Sequence, residues 1–249
     1  MSFADIIILA VVQGFTEWLP ISSSGHLILL QQFFHMNTPV YYDILLHFAT
    51  LIVILLVFYK DIEKIVRAWA RREWQDEYSR LGFYVILGTI PIAFVGFFFG
   101  DLILQMFTNT KIIGLGFLLT AILLFATKYA DGKEELNAKY TTLIGVMQVI
   151  ALLPGISRSG TTLSSSLLLK VKREHAITFS FLLAVPAILG AAILEYEPSI
   201  ITGQMVLGMI TAIVVGYVSL TTLIKIVNHK KLYMFGWYCI LIGIISLLL

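Results

Sequence analysis

The sequence is poor in charged residues and in cysteine. Only 13% of its 249 residues are charged, whereas 59% are hydrophobic, and the mean hydropathy is +0.91. A soluble domain carries about 25% charged residues, so this composition excludes an ordinary water-soluble protein and indicates an integral membrane protein. The single cysteine, Cys239, excludes an internal disulfide.

Six apolar stretches are long enough to cross a bilayer, since a spanning helix needs about 17–25 mostly apolar residues. We predict spans at 40–59, 81–100, 112–127, 176–194, 205–224 and 232–249. Two further apolar stretches, 2–36 and 140–169, are interrupted by PISSSG from Pro20 and by PGISRSG from Pro154. Their halves are too short to cross comfortably. We therefore expect each of these stretches to form a re-entrant hairpin of two half-helices.

The basic residues indicate how the chain is oriented. All Lys and Arg residues except Lys111 and Arg158 lie in four segments, 60–80, 128–139, 170–173 and 225–231. Six spans and two re-entrant hairpins place these segments on one face, which the positive-inside rule identifies as cytoplasmic. The loops at 101–111 and 195–203 then face outside, together with both termini. The segment 62–77, with Trp69 and Trp74, predicts a helix in the membrane interface.

The two interrupted stretches align with each other without gaps at an offset of 135 residues. Each is followed by three predicted spans, and the two hairpins enter from opposite faces. We therefore predict one all-α polytopic membrane domain over 1–249, built as an inverted-topology repeat of about 1–128 and about 140–249. Such repeats are common in secondary transporters. The identical pairs include Gln13 with Gln148, Ser22 with Ser157, Ser24 with Ser159, and Gly25 with Gly160.

Arg158 is the arginine that is flanked on both sides by apolar segments predicted to be helical. A charge at membrane depth costs roughly 2.5–3.5 kcal/mol or more, so such a residue faces a partner or an anionic ligand inside the protein. A new helix should begin after each break, near Ser24 and Ser159, and helix starts attract anions. If the two hairpins meet tip to tip, these features converge on a site for phosphate or diphosphate. Further hydroxyl donors there are Ser22, Ser23 and Ser157.

Acidic and imidazole side chains accompany the first break. Gln13 and Glu17 lie four residues apart and share one face of the first half-helix. Glu17 suits three roles: metal ligand, general base, or counter-ion of the arginine. His26, in the first turn of the next half-helix, suits a nucleophile, a proton donor to a leaving phosphate, or a partner of a serine. Asp43 and His47, also four residues apart, are expected near the mouth of the cavity.

These motifs resemble those of the undecaprenyl-diphosphate phosphatase family of bacteria, the bacitracin-resistance type. The resemblance covers essentially the whole chain and rests on QGFTE from Gln13, LPISSSGH from Leu19 and PGISRSGTT from Pro154. It implies removal of the terminal phosphate of a C55 polyprenyl diphosphate, which yields the monophosphate carrier recycled in cell-wall synthesis. It also implies a divalent cation, Mg²⁺ or Ca²⁺, and a multi-pass protein of the bacterial cytoplasmic membrane with an outward-facing site.

The predicted site residues follow from the motifs together with this resemblance. We expect Glu17 and Gln13 to bind the cation, although glutamine is a weaker ligand than a second acid. Ser23 is favoured as the nucleophile over His26 or water, and the sequence leaves this choice open. The predicted catalytic residues are Glu17, Ser23, His26 and Arg158. The residues predicted to hold the phosphates are Ser22, Gly25, Ser157, Ser159, Gly160 and Thr162.

Two other functions compete with hydrolysis. The inverted repeat favours a transporter or flippase of an anion or a polyprenyl phosphate, and a lipid-binding scaffold is the simplest alternative. A carrier does not need an acid, a serine and a histidine beside the arginine, so we favour the enzyme. The expected partners are the polyprenyl diphosphate and the bilayer, with no nucleic acid, and a homo-oligomer stays open.

Overall fold

The computed structural model describes residues 2–36, 38–194 and 201–249, and within these ranges the chain is all-α, as predicted. No β-strand forms in these ranges, where Glu134 and Val171 make an isolated bridge. The predicted outer loop at 195–203 lies largely outside them. The α-helices are α1 (Phe3–Trp18), α2 (Ser23–Phe33), α3 (Val40–Val57), α4 (Tyr59–Ala70), α5 (Glu77–Met106), α6 (Thr110–Ala126), α7 (Ala138–Gln148), α8 (Arg158–Leu168), α9 (Arg173–Leu182), α10 (Ala184–Leu194), α11 (Gly203–Asn228) and α12 (Phe235–Leu248).

Among the described residues, four helical segments are long and apolar enough to cross a membrane, namely α5, α6, the α9–α10 pair and α11. A fifth candidate is the pair of α3 and α4 taken together, which meet at a bend of 75°. The sixth predicted span, 232–249, forms the shorter apolar helix Leu232–Leu248. At about 1.5 Å per residue it falls a few ångströms short of a hydrocarbon core of about 30 Å. The protein is therefore an integral membrane protein, and the prediction of six spans is not confirmed.

The surface of α5 identifies it as a lipid-facing helix. Within an apolar stretch of 18 residues of this helix, only 17% of the residues are buried inside the protein. The side chains of Phe94, Phe97 and Phe98 are all more than half exposed. Contiguous exposed apolar surface of this kind is unfavourable in water and suits the hydrocarbon of a bilayer.

A helix is present in the predicted segment as α4, although it occupies different residues from the predicted 62–77, and its place in the membrane interface stays a prediction. It begins at Tyr59 and ends at Ala70, because Arg72 adopts a left-handed backbone conformation with φ of 59°. The side chain of Asp76 then caps the start of α5 by accepting the N–H of Tyr78 at 2.8 Å. The Trp69 indole N–H donates to the Ser79 carbonyl at 3.1 Å, which ties α4 to α5.

The two halves of the sequence pack against each other in a reciprocal way. Helix α1 packs along α11, and α7, which corresponds to α1 in the 135-residue alignment, packs along α5. Helices α6 and α12, the last of each half, pair with each other. Small residues permit these close approaches. A Cβ on Gly14 would lie 2.9 Å from the Ala212 carbonyl oxygen, and Gly145 lies against Gly88.

A buried aromatic cluster supports the end of α1, where the chain breaks before α2. The Trp18 side chain is fully buried, and the edge of its ring meets Phe181 with 6.0 Å between ring centroids. Phe181 in turn stacks on Phe58 at 5.7 Å. Because these bulky side chains come from α1, α9 and the α3–α4 junction, they fix the position of the first break relative to the second half of the chain.

Candidate active site

The two breaks in the apolar stretches end in the same kind of capped helix start. Ser22 is the N-cap of α2, and its hydroxyl oxygen accepts the Gly25 N–H at 3.4 Å. Ser157 is the N-cap of α8, and its hydroxyl oxygen accepts the Gly160 N–H at 3.0 Å. Capping serines satisfy N–H groups that a helix start would otherwise leave unpaired. The helices thus begin at Ser23 and Arg158, one residue before the predicted starts.

Arg158 and Glu17 form an ion pair that joins the two breaks. Nη2 of Arg158 donates to Oε1 of Glu17 at 2.6 Å, and the two side chains are only 19% and 5% exposed. Nη1 of Arg158 lies 3.4 Å from the Ala184 carbonyl oxygen. Each charge supplies the partner that the other needs at this depth, because a buried charge without a partner is strongly unfavourable.

The second oxygen of Glu17 is also surrounded by donors. Oε2 accepts the hydroxyl of Ser23 at 2.6 Å and the side-chain amide of Gln13 at 3.2 Å. Nε2 of His47 lies 3.6 Å from the same oxygen. The carboxylate therefore gathers side chains from α1, α2, α3 and α8. Of the four predicted catalytic residues, the structure brings Ser23 and Arg158 into direct contact with Glu17, one at each carboxylate oxygen.

His26 makes its hydrogen bonds elsewhere. Its Nδ1 lies 2.7 Å from the Ser22 carbonyl oxygen, which only accepts, so Nδ1 carries a hydrogen. In the neutral ring Nε2 then accepts the hydroxyl of Tyr238 at 2.7 Å. The imidazole also stacks on the Tyr238 ring and meets Phe117 edge-on. Among the contacts of the described residues, none joins His26 directly to Glu17 or Arg158.

Several residues predicted to hold phosphate are engaged within the protein. The hydroxyl of Thr162 is fully buried and donates to the Arg158 carbonyl at 3.0 Å. Ser157 and Ser159 have their hydroxyl oxygens 3.2 Å apart, and the Ser159 hydroxyl lies 3.4 Å from the Leu19 carbonyl oxygen of the other break. These contacts stabilise the junction of the two breaks, and a role in binding phosphate stays a prediction.

The glycines predicted at the site serve close packing in this structure. A Cβ on Gly25 would lie 2.7 Å from the ring of Phe117, and one on Gly160 would lie 3.3 Å from Pro20. Gly155, just before the second helix start, has φ of 82°, a conformation that side chains other than glycine rarely adopt. Glycine at these positions therefore lets the two breaks approach each other.

The residues predicted to bind a cation are already occupied by protein donors. Glu17 has donors at both oxygens, and Gln13 turns its amide nitrogen towards Glu17. The carbonyl oxygen of Gln13 is buried and has no partner among the described residues. Within that part of the chain, no three His, Cys, Asp or Glu side chains are grouped to hold a metal. The pair as it stands does not fit a cation.

Three side chains near the site were not among the predicted site residues. Thr120 of α6 accepts the Ser157 N–H at 3.0 Å, and the Tyr238 hydroxyl binds His26. His47 was expected only near the mouth of the cavity, whereas its ring reaches Glu17. The four-residue spacing of Asp43 and His47 was the signal for this, but spacing alone does not show which helix the pair faces.

A largely apolar groove of about 590 Å³ adjoins the site at the first break. Its lining includes Thr16 and Leu19, which are close to Glu17 in the sequence, and Tyr238, the partner of His26. Lys231 lies at one margin of the groove, while most of its lining is apolar. The arrangement combines a polar, doubly charged centre with an adjoining hydrophobic surface, which suits an amphipathic molecule.

Comparisons with known proteins agree with these features. The family model described as bacitracin resistance protein BacA matches residues 6–245 of the chain. A protein of Korarchaeum cryptofilum named undecaprenyl-diphosphatase is 36% identical, covering 98% of each chain. Proteins of the same name from Thermosipho africanus and Halothermothrix orenii are 41% and 34% identical. These two alignments cover 96% and 100% of this chain and 97% and 98% of the relatives.

Proposed function

The chain belongs to the family of the bacitracin resistance protein BacA, and from this premise we propose that it is an undecaprenyl-diphosphatase. It hydrolyses undecaprenyl diphosphate to undecaprenyl phosphate and inorganic phosphate and so recycles the lipid carrier used in cell-wall synthesis. The relatives with this name align with the chain over nearly their whole length. The transporter or flippase alternative gains no comparable support, since the comparisons reported above name phosphatases.

The observation that carries the proposal is the buried contact of Glu17 with Arg158 and Ser23. A guanidinium, a carboxylate and a hydroxyl meet within hydrogen-bond distance at the junction of two helix starts. Phosphoryl transfer depends mainly on positioning and on stabilising charge at the phosphate oxygens, which guanidinium groups and helix N-termini provide. A hydroxyl that donates to a buried carboxylate suits an enzyme, because the carboxylate can accept the hydroxyl proton when the oxygen attacks phosphorus.

We assign the clamp on the terminal phosphate to Arg158 and to the N-terminal ends of α2 and α8. The guanidinium uses Nη2 for Glu17 and Nη1 for the Ala184 carbonyl, and because it carries five N–H groups, further donors can be shared with the substrate. Ser157 and Ser159 lie at the start of α8, where a bound phosphate would compete for their hydroxyl groups. Ser22, Gly25, Gly160 and Thr162 support this clamp by shaping the two helix starts.

For the nucleophile we favour Ser23, because its hydroxyl already donates to Glu17 at 2.6 Å. Oγ attacks the terminal phosphorus while its proton passes to Glu17. The bond to the bridging oxygen breaks, and undecaprenyl phosphate leaves with the electron pair. Water then attacks the phosphoserine, the proton on Glu17 returns to Oγ, and inorganic phosphate leaves with both protons of that water. His26, held by Tyr238, supports the helix start that carries Ser23.

The divalent cation stays a prediction, and no step above passes through it. Because Glu17 and Gln13 as arranged do not fit a cation, we propose that Mg²⁺ or Ca²⁺ would arrive bound to the diphosphate. The phosphate oxygens would supply most of its ligands. The unpartnered carbonyl oxygen of Gln13 is the atom of this pair that remains available to it. When bound, the cation would neutralise charge on the phosphates.

We further propose a topology of six spans and two re-entrant hairpins in one inverted-repeat domain. The paired half-helices α1–α2 and α7–α8, the matched capping serines and the reciprocal packing of the two halves support it. The basic segments then lie on the cytoplasmic side of a bacterial inner membrane, with the site and both termini facing outside. The apolar groove beside Leu19 and Tyr238 suits the isoprenoid chain.

Release of phosphate from undecaprenyl diphosphate by the detergent-purified protein tests the proposal. We expect steady release by the wild type and strongly reduced release by Glu17→Ala. A protein without hydrolytic activity that moves the lipid phosphate between the leaflets of vesicles would contradict the proposal and support the transporter. Exhaustive chelation forms a second arm, in which unchanged release would remove the cation from the scheme.

A further inference from the structure

A chain of polar contacts runs through α3 to the catalytic carboxylate. The amide nitrogen of Gln31 donates to both carboxylate oxygens of Asp43, at 3.1 and 3.0 Å. Nδ1 of His47 lies 2.9 Å from the backbone carbonyl oxygen of Asp43, and Nε2 of His47 lies 3.6 Å from Oε2 of Glu17. Three helices therefore contribute to holding one carboxylate, and the mechanism given above does not use His47.

The hydrogen bond at Nδ1 determines what the other ring nitrogen offers. A carbonyl oxygen only accepts, so Nδ1 of His47 carries a hydrogen, and the ring is held with Nε2 towards Glu17. Nε2 is therefore the polar ring atom that faces the carboxylate, 3.6 Å from Oε2. An imidazole fixed in this way limits how the carboxylate can turn.

The surroundings of His47 contain few competing charges. Glu17 faces it from α1, Asp43 lies one turn earlier on its own helix, and Arg158 pairs with the other oxygen of Glu17 from α8. Helix α10, which also packs against α3, is made only of apolar, glycine and proline residues. Among the described residues, Glu17 is the carboxylate that lies within ion-pair distance of His47.

We propose that His47 is a positioning residue of the phosphatase reaction, which holds Oε2 of Glu17 towards Ser23 while Arg158 holds Oε1. The inference rests on the proposed function, because Glu17 acts as the proton acceptor there. With both oxygens fixed from opposite sides, the carboxylate keeps the plane in which the Ser23 hydroxyl donates at 2.6 Å. His47 acts through Glu17, so its loss should slow the chemical step more than it weakens substrate binding.

Two amide substitutions test the inference, because the two side chains carry the same amide group and differ only in length. In His47→Gln an amide N–H extends about as far as Nε2 and can still donate to Glu17. In His47→Asn the amide is one carbon shorter and falls short of it. Phe48→Leu, on a lipid-exposed position of the same helix, is the matched control. For each protein, kcat and KM are measured with undecaprenyl diphosphate, and folding is checked by size-exclusion chromatography and thermal unfolding.

We expect His47→Asn to lower kcat about 30- to 100-fold, as a misplaced catalytic group does, with KM changed less than about threefold. His47→Gln should recover kcat to within about fivefold of the wild type, and Phe48→Leu should match it. Equal losses in the two amide variants, a loss confined to KM, or unchanged kcat in His47→Asn would each overturn the inference. An inactive wild type would instead count against the proposed function.

Discussion

The two helix breaks have the same framework and opposite chemistry. Both have a capping serine and a glycine three residues later, and in the 135-residue alignment the first residues of α2 and α8 occupy the same position. That position is Ser23 in the first break and Arg158 in the second. The first break supplies the carboxylate and the hydroxyl, whereas the second supplies the guanidinium. The two breaks thus share a serine-capped helix start, whereas the polar side chains beside that start differ between them.

The glutamines of the alignment show the same division. Gln13 donates to Glu17 at 3.2 Å, whereas both polar atoms of Gln148 are buried without a partner among the described residues. The reason lies four residues later, where Glu17 in the first copy corresponds to Leu152 in the second. Without the carboxylate, the second glutamine has nothing to bind. The first copy therefore carries the Glu17 carboxylate, and the second carries the Arg158 guanidinium that pairs with it.

The largest expected effect comes from removing the contribution of the second break. Arg158→Ala should lower phosphate release by about 10³-fold or more, because a guanidinium at the phosphate stabilises charge in the transition state. The protein should still fold. Lys111→Ala, which removes the other isolated cation at an exposed position, should retain normal turnover. Near-normal release by Arg158→Ala would refute the clamp.

A comparably sharp loss is expected within the first break. Ser23→Ala should lower kcat by about 10³-fold or more if the hydroxyl attacks phosphorus. Its neighbour Ser24 does not contact Glu17, so Ser24→Ala should stay within about threefold of the wild type. Single-turnover kinetics with labelled substrate should also trap a phosphoserine in the wild type. If Ser23→Ala kept substantial turnover, water activated by Glu17 would replace the serine as nucleophile.

The smallest effects separate the two glutamines. Gln13→Leu should lower kcat about tenfold, because Glu17 loses one of its donors. Gln148→Leu should leave kcat unchanged and raise the free energy of unfolding by about 1–3 kcal/mol, since a buried amide without partners is replaced by an apolar group. Thermal unfolding and steady-state kinetics in one detergent check both. Destabilisation by Gln148→Leu would mean that the amide is satisfied after all, and the comparison of the two copies would fail at this point.

Much of this arrangement is readable from local patterns. Proline-led breaks followed by serine and glycine predicted both helix starts to within one residue, and an arginine flanked by apolar helix predicted a buried partner or anion. The all-α membrane class followed from hydropathy alone. The convergence of Glu17 and Arg158 was conditional in the sequence, because it depends on how two distant hairpins pack. The number of spans was less secure, since segments such as Leu232–Leu248 are close to the minimum length.

Other features depend on tertiary contacts that leave no local signal. Thr162 lies in the PGISRSGTT motif, yet its hydroxyl is buried and donates to backbone within α8. His26 turns to Tyr238, more than two hundred residues away, instead of towards Glu17. The carboxylate predicted to bind a cation is likewise occupied by hydrogen bonds from Gln13, Ser23 and Arg158, and cation binding stays a prediction. Spacing shows which side chains share a helix face, whereas rotamers and neighbouring helices decide what they bind.

The contact of Glu17 with Arg158 across the two breaks is tested most directly by a double-mutant cycle on stability. Glu17→Gln and Arg158→Met are made singly and together, and the unfolding midpoints are compared in one detergent at one scan rate. Each single variant leaves a buried charge unpaired, which typically costs about 3–5 kcal/mol, whereas the double variant leaves none. We predict that the double variant unfolds at a higher temperature than either single variant. Losses that simply add would contradict the contact on which the site depends.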